Sequence, residues 1–301
     1  MTAPRWTEVR VAVPLGWQEL VAQAFAAAPF TCVAFGSTSI AEDAPPPGCD
    51  YVRTFVQSGA LARPPGDEVR ERLDELARCA QVAELTGLEP RVKELPPEDY
   101  AQSWRKSWKP FRVGRLCVLL PWMEGEPRPG DVRLSVEPGG AFGSGRHATT
   151  RACLRVLQER LAGGERVLDA GSGSGILAVA AVLLGARHAL AFDVDPHAKP
   201  YGDDLAERNG VARAVEYRSG GFAVLRETDR VFDAVMANIY SDVLQENARD
   251  LRERMRAGAW FVFSGVSVHH AEPTRRAIES AGLEIEEERR RGRWHTFVGR
   301  R

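Results

Sequence analysis

No two cysteines are spaced as Cys-x-x-Cys, and the five present, Cys32, Cys49, Cys79, Cys117 and Cys153, are scattered. No Cys/His cluster has zinc spacing, so no metal site is expected. An odd, dispersed count fits reduced thiols in a cytoplasm. Long hydrophobic runs are missing as well. The longest, Ile176 to Leu184, is far too short to span a bilayer and suits a buried helix. Neither sign of charge dominates: 40 Lys and Arg face 41 Asp and Glu, a formal net charge of −1. That balance offers no global electrostatic case for binding nucleic acid. Met1 to Arg10 carries Pro4, Arg5, Glu8 and Arg10 with no suitable apolar core behind it, so no signal peptide is expected. What remains is an ordinary globular composition, 44% hydrophobic and 27% charged over 301 residues, a length that suggests two domains.

The first hundred residues read as a small α+β unit. Trp6 to Val13 alternates, with Val9, Val11 and Val13 on one side, as in a half-buried strand. Trp17, Leu20, Val21, Ala24, Phe25 and Ala28 recur at helical spacing. Thr31 to Phe35 and Tyr51 to Val56 are strand-like, on either side of the Pro45-Pro46-Pro47-Gly48 loop. Val69, Leu73, Leu76, Ala77 and Ala80 mark a second amphipathic helix, and Arg91 to Leu95 a last short strand. The order βαββαβ predicts a ferredoxin-like domain over residues 1–95. Pro96-Pro97 marks its boundary. Tyr100, Trp104 and Trp108 form one stripe of a connecting helix over 96–110, ended by Pro110. That stripe suits docking onto a domain better than caging a ligand.

Residues 111–301 read as one larger domain. Phe111 to Pro121 and Asp131 to Val136 are strand-like. From Arg166 onward strands and helices alternate. Strands are expected at 166–170, 188–193, 214–217, 232–237, 260–264, 283–288 and 294–298, and helices at 175–184, 196–209, 242–255 and 271–281. Such alternation predicts an α/β fold with a largely parallel sheet covered by helices on both faces. A short basic turn joins the last two strands, which should form an antiparallel hairpin.

Chemistry concentrates at three places. Val167-Leu168-Asp169-Ala170-Gly171-Ser172-Gly173-Ser174-Gly175 reads as the end of a buried strand, a tight glycine turn and a helix start. Asp193, 22 residues after Gly171, puts a carboxylate at the end of the next strand, within reach of ribose hydroxyls. The spacing is not the Gly-x-Gly-x-x-Gly of dinucleotide enzymes, because Ile176 replaces the third glycine. Upstream lies a loop, Glu137-Pro138-Gly139-Gly140-Ala141-Phe142-Gly143-Ser144-Gly145-Arg146-His147-Ala148-Thr149-Thr150. Its glycines allow close backbone approach to a ligand. Thr149 and Thr150 sit where a helix through Leu154 and Leu157 begins, and their plainest role is N-capping. His147 is expected as a hydrogen-bonded structural ring rather than a catalytic base. Third, Val235-Met236-Ala237-Asn238-Ile239-Tyr240 ends the fourth strand of the nucleotide-binding unit, at the edge where open α/β sheets bind ligands. Asn238 offers an acceptor that could aim an amine nucleophile, or it could cap the helix beginning near Ser241-Asp242.

The glycine spacing is similar to the first motif of Rossmann-like S-adenosylmethionine methyltransferases. All three segments, with Phe192-Asp193-Val194-Asp195-Pro196, Ala206-Glu207-Arg208-Asn209-Gly210-Val211 and Phe263-Ser264-Gly265, resemble the bacterial ribosomal protein L11 methyltransferase family, PrmA. The likeness runs from about Tyr100 to the C-terminus. It implies a seven-stranded methyltransferase sheet, a small domain that recognises the substrate protein, and methyl transfer to lysine and N-terminal amines. It further implies S-adenosylmethionine contacts at Thr150, Gly171, Gly173, Asp193 and Asn238, with Asn238 near the reacting centre as the catalytic residue. The expected protein is a cytoplasmic monomer that acts on a large-subunit ribosomal protein, without a membrane or direct nucleic-acid partner.

Several positions depart from the family pattern, among them Ser144 and Ala148, where the family usually has Thr and Pro. The Pro45 loop and the arginine-rich C-terminal turn also look local to this chain. Glu137 replaces the Asp of Asp-Pro-Gly, Arg146 replaces a Thr, and Tyr240 replaces the Leu of Asn-Ile-Leu. These leave open a paralogue acting on another protein, a small molecule or RNA, and a non-catalytic S-adenosylmethionine-binding protein.

Overall fold

A computed structural model describes residues 5–15, 17–25, 30–35, 45–80, 82–95, 110–123, 128–137, 145–229 and 231–301. The connecting helix expected over 96–110, with Tyr100, Trp104 and Trp108, therefore lies outside the described residues except for Pro110, as do residues 138–144 of the glycine loop. The chain divides into two compact units, one within Met1–Lys109 and one formed by Pro110–Glu137 and Gly143–Arg301.

In the first unit, β1 (Trp6–Pro14), α1 (Gln18–Phe25), β2 (Thr31–Phe35), β3 (Cys49–Gln57), α2 (Pro65–Ala80) and β4 (Arg91–Leu95) follow one another. The sheet order β2-β3-β1-β4, with every neighbouring pair antiparallel, is the ferredoxin-like arrangement. Its core takes Val9, Val11 and Val13 from the alternating strand, Val52 and Val56 from β3, and Phe25 and Leu73 from the helices. Pro65 opens α2, Asp67 and Glu68 lie in its first turn and Arg78 in its last, all signs that match the helix dipole.

The second unit opens with β5 (Phe111–Val113), β6 (Leu116–Leu119) and β7 (Val132–Ser135), a small sheet of its own. The apolar stretch 111–121, expected as one strand, is broken into a hairpin because Gly114 turns at a positive φ of 55°. Then come α3 (Ala148–Arg160), β8 (Arg166–Ala170), α4 (Ile176–Leu183), β9 (His188–Asp193), α5 (Ala198–Arg208), β10 (Val215–Ser219) and β11 (Phe232–Asn238). α6 (Ser241–Arg254), β12 (Met255–Ser267), α7 (Ala271–Ser280), β13 (Glu284–Arg291) and β14 (Trp294–Arg300) complete it. The seven-stranded sheet runs β10-β9-β8-β11-β12-β14-β13. All pairs are parallel except those of β14, which lies antiparallel between β12 and β13.

Both faces of this sheet are covered. Val167, Ala189, Ala234, Val262 and Val298 pack in one core with α3, α4 and α5. The alternate residues Leu168, Leu190, Val235, Phe261 and Phe297 pack in another with Leu244 of α6 and Ile278 of α7. Burial on both faces explains why these strands are continuous apolar runs. Strand order reverses between β8 and β11, so the crevice for a ligand lies outside the carboxyl ends of those strands. No helix among the described residues is long and apolar enough to cross a membrane.

Tyr217 of β10 ties helix to turn. It is buried, its hydroxyl donates to the Gly175 carbonyl (3.3 Å), and its ring occupies the space a Cβ on Gly202 of α5 would need. In an ordinary helix interior Gly→Ala stabilises by about 1 kcal/mol. At position 202 the overlap with Tyr217 outweighs that gain. Gly202→Ala is expected to destabilise by about 1–3 kcal/mol, as overpacking does, read as a lower urea midpoint; an unchanged or higher midpoint would show that the ring is not locked.

Candidate functional site

The turn after β8 is built for backbone contact. Gly171, Gly173 and Gly175 adopt positive φ angles of 70°, 51° and 77°. The N–H groups of Gly171 and Ser172 donate to the Phe192 carbonyl of β9 (2.9 and 3.0 Å). Gly173 N–H donates to Asp193 Oδ2 (2.7 Å), while Asp193 Oδ1 accepts from Asp195 N–H (2.9 Å). Two predicted residues, Gly173 and Asp193, are thus joined directly. A Cβ on Gly171 would overlap Cγ2 of Ile239, the residue after Asn238. Gly171 therefore meets the end of β11 with no room for a side chain.

Asp169 lies beneath this turn, fully buried. Its Oδ2 accepts from Ala178 N–H of α4 (3.1 Å), and its Oδ1 has no hydrogen-bond partner. Burial, with a further push from the Asp193 charge, raises its pKa to about 7. An orphaned buried carboxyl oxygen at Asp169 and the Asp193 carboxylate lie at one edge, offering acceptors to a cationic ligand. Together with the side-chain-free cradle at Gly171, this donor set fits a ligand carrying positive charge and ribose hydroxyls, as S-adenosylmethionine does. Among the described residues no cluster of His, Cys, Asp and Glu is placed to hold a metal ion.

The other two predicted residues also meet. Asn238 Nδ2 donates to Thr150 Oγ1 (3.3 Å), linking the end of β11 to the first turn of α3. Neither expected capping role is realised. The N-cap of α3 is His147, whose Nδ1 accepts from Thr149 N–H (3.3 Å) and lies against the Thr149 hydroxyl. The N-cap of α6 is Tyr240, without a side-chain cap bond, so Asn238 does not cap that helix. His147 is the structural ring the sequence suggested. It packs edge-on against Trp294, with centroids 5.3 Å apart, and burial lowers its pKa to about 4, so it is neutral.

The departures are accommodated. Glu137 pairs with Arg208 of α5 (2.8 Å), and its carbonyl accepts from the Tyr201 hydroxyl. Arg146 lies over the Phe111 ring, 5.0 Å from its centroid, and Arg151 shares that ring at 5.5 Å. Tyr240 is 65% exposed beside Asn238. Sequence reasoning missed Tyr217, Trp294 and the pairing of Asn209 with Ser135, in which the amide both accepts and donates (2.8 Å each). The Asn-Gly pair at 209–210 was a turn signal, but its partner 74 residues away carried none.

The geometry can be set beside known proteins. A family model described as ribosomal protein L11 methyltransferase (PrmA) matches residues 5–301. The chain is 37% identical over 241 residues to the ribosomal protein L11 methyltransferase of Pelobacter propionicus, covering 78% of this chain and 76% of that one. It is 38% identical over 234 residues to the protein of the same name from Pseudomonas aeruginosa, covering 76% and 77%. Among solved structures it is similar to a ribosomal protein L11 methylase from Lactobacillus delbrueckii subsp. bulgaricus. That likeness has a TM-score of 0.57 and 26% identity, and covers 64% of this chain and all of that one.

Two outcomes are expected of the turn. Gly171→Ala must displace Ile239 and strain the backbone, so calorimetry should show cofactor affinity reduced by about tenfold or more; wild-type affinity would place the ligand elsewhere. For Asp169 the raised pKa makes the folded state hold a proton that the unfolded state releases between about pH 4 and 7. Stability contributed by this group therefore falls as pH rises through that window. Relative to wild type, the melting temperature of Asp169→Asn should climb from pH 4 to pH 7; a pH-independent difference would mean that Asp169 is ionised throughout.

Proposed function

Because the chain belongs to the ribosomal protein L11 methyltransferase (PrmA) family, we propose that the carboxyl edge of its seven-stranded sheet is the methyl-transfer site, with Asn238 at the centre. The protein is an S-adenosylmethionine-dependent methyltransferase that acts on ribosomal protein L11. We assign Gly171 and Gly173 to backbone contact with the cofactor, Asp193 to its ribose and Thr150 to the same pocket. The acceptors are lysine and N-terminal amines. When bound, S-adenosylmethionine supplies a methyl group on a sulfonium, already activated toward a nucleophile.

The chain's own task is then mainly alignment. One observation carries the role of Asn238: its amide N–H₂ is committed to the Thr150 hydroxyl. That leaves the carbonyl oxygen as the end that accepts a hydrogen bond from an incoming amine and aims its lone pair. A lysine amine, with an ordinary pKa of about 10.4, must arrive neutral, and desolvation beside a cation lowers that pKa. His147 is no base for this step, since its half-buried ring is spent as a helix cap. The near-neutral charge of the chain supports reading protein rather than nucleic acid, and its free thiols Cys49, Cys117 and Cys153 support a reducing compartment such as the cytoplasm; we take the chain to act there as a monomer.

Asn238→Ala should lower kcat by about a hundredfold or more, in the range seen when a single positioned polar group is lost from a reacting centre. Calorimetric affinity for S-adenosylmethionine should stay within a few-fold of wild type. Undiminished turnover would remove Asn238 from the reaction.

A further inference from the structure

We propose that His147 is a positioning residue for methyl transfer: seated against Trp294, it sets the first turn of α3 so that the Thr150 hydroxyl meets the Asn238 amide. The proposal rests on the role of Asn238 given above.

Helix N-caps are normally short polar side chains, because a Ser, Thr, Asp or Asn oxygen reaches the free N–H groups with little bulk. Here an imidazole does that work. The His147 carbonyl accepts the first helical bond from Arg151 N–H (2.9 Å), and its Nδ1 takes the Thr149 N–H. A serine could make the same cap. It could not also reach Trp294, whose ring meets the imidazole edge-on at an interplanar angle of 65°. What the histidine adds is a fixed link between the start of α3 and the start of β14. Thr150, buried at 1% exposure, is three residues along the same turn, so its hydroxyl moves with the cap.

The other partner is braced by the same strand. Asn238 of β11 stands in register with Ser264 of β12. The Ser264 hydroxyl is hydrogen-bonded to that of Thr296 (2.7 Å), and Thr296 lies two residues beyond Trp294 on β14. Trp294 in turn pairs in register with Ser267 of β12 and Arg291 of β13. The antiparallel strand thus holds both sides of the Thr150–Asn238 hydrogen bond, one through an imidazole and one through a hydroxyl pair. That bond is 3.3 Å long, near the outer limit for its kind, so a small shift of the α3 terminus breaks it.

The test compares His147→Ala, His147→Asn and Trp294→Phe in the full chain, with S-adenosylmethionine and purified ribosomal protein L11. Steady-state kcat and both KM values are measured, with the melting temperature alongside. His147→Ala should lower kcat by about tenfold or more while KM for the cofactor changes by less than about threefold, the pattern of a misaligned reacting group. His147→Asn, which restores the cap acceptor but not the ring contact with Trp294, should recover melting temperature while kcat stays low, and Trp294→Phe, which keeps an aromatic face, should retain most of kcat. Wild-type kcat in His147→Ala overturns the proposal, as does wild-type kcat in His147→Asn, where the cap is kept and the Trp294 contact is lost. If His147→Ala does not fold, Trp294→Leu gives the same comparison with the cap intact: reduced kcat at unchanged KM supports the link, and wild-type kcat refutes it. Failure of the underlying reading is separately visible, because Asn238→Ala would then turn over like wild type.

Discussion

Gly171 comes so close to Ile239 that no side chain fits between the β8 turn and the end of β11. The rest of the site follows from that approach. It brings the backbone of the glycine turn to the crevice at the strand-order reversal, beside Asn238. The turn itself is held from the opposite side by the Phe192 carbonyl and the Asp193 carboxylate. A crevice lined on one side by the backbone of a glycine turn is defined there by geometry more than by side-chain identity.

Electrostatics completes what the backbone begins. Asp169 and Asp193 put two carboxylates at the same edge, one of them buried with an unpartnered oxygen. A buried unpaired carboxylate costs stability in the free protein. A cationic ligand offsets that cost on binding, so folding stability and ligand affinity oppose each other at this position. The polar groups further along the edge act differently. Thr150, Asn238, Ser264 and Thr296 are neutral and paired or placed in register, and the role proposed for them is to orient rather than to attract.

Much of this was legible in the sequence because the second unit obeys simple patterns. Its strands are apolar runs buried on both faces, and its turns fall at glycines. The ferredoxin-like order followed from alternation at Val9, Val11 and Val13 and from two helices with ordinary spacing. Of the site, Gly173 and Asp193 were found by spacing within one βαβ unit, and they do meet. Thr150 and Asn238 were named through family resemblance, and they meet across 88 positions. What local pattern could not deliver was anything set by tertiary packing. The threonines looked like caps, yet the cap is His147, because Trp294 offers the imidazole a wall that no nearby residue announces. Gly114 divided an apolar stretch that read as one strand. The place of Tyr217 between Gly175 and Gly202 needed three separated segments to be seen together.

The most direct test of the account is mass spectrometry of ribosomal protein L11 incubated with this chain and S-adenosylmethionine. The account predicts methylated L11, with the groups on lysine or N-terminal amines and none without the cofactor. Unmodified L11, while the chain binds S-adenosylmethionine by calorimetry, would contradict it.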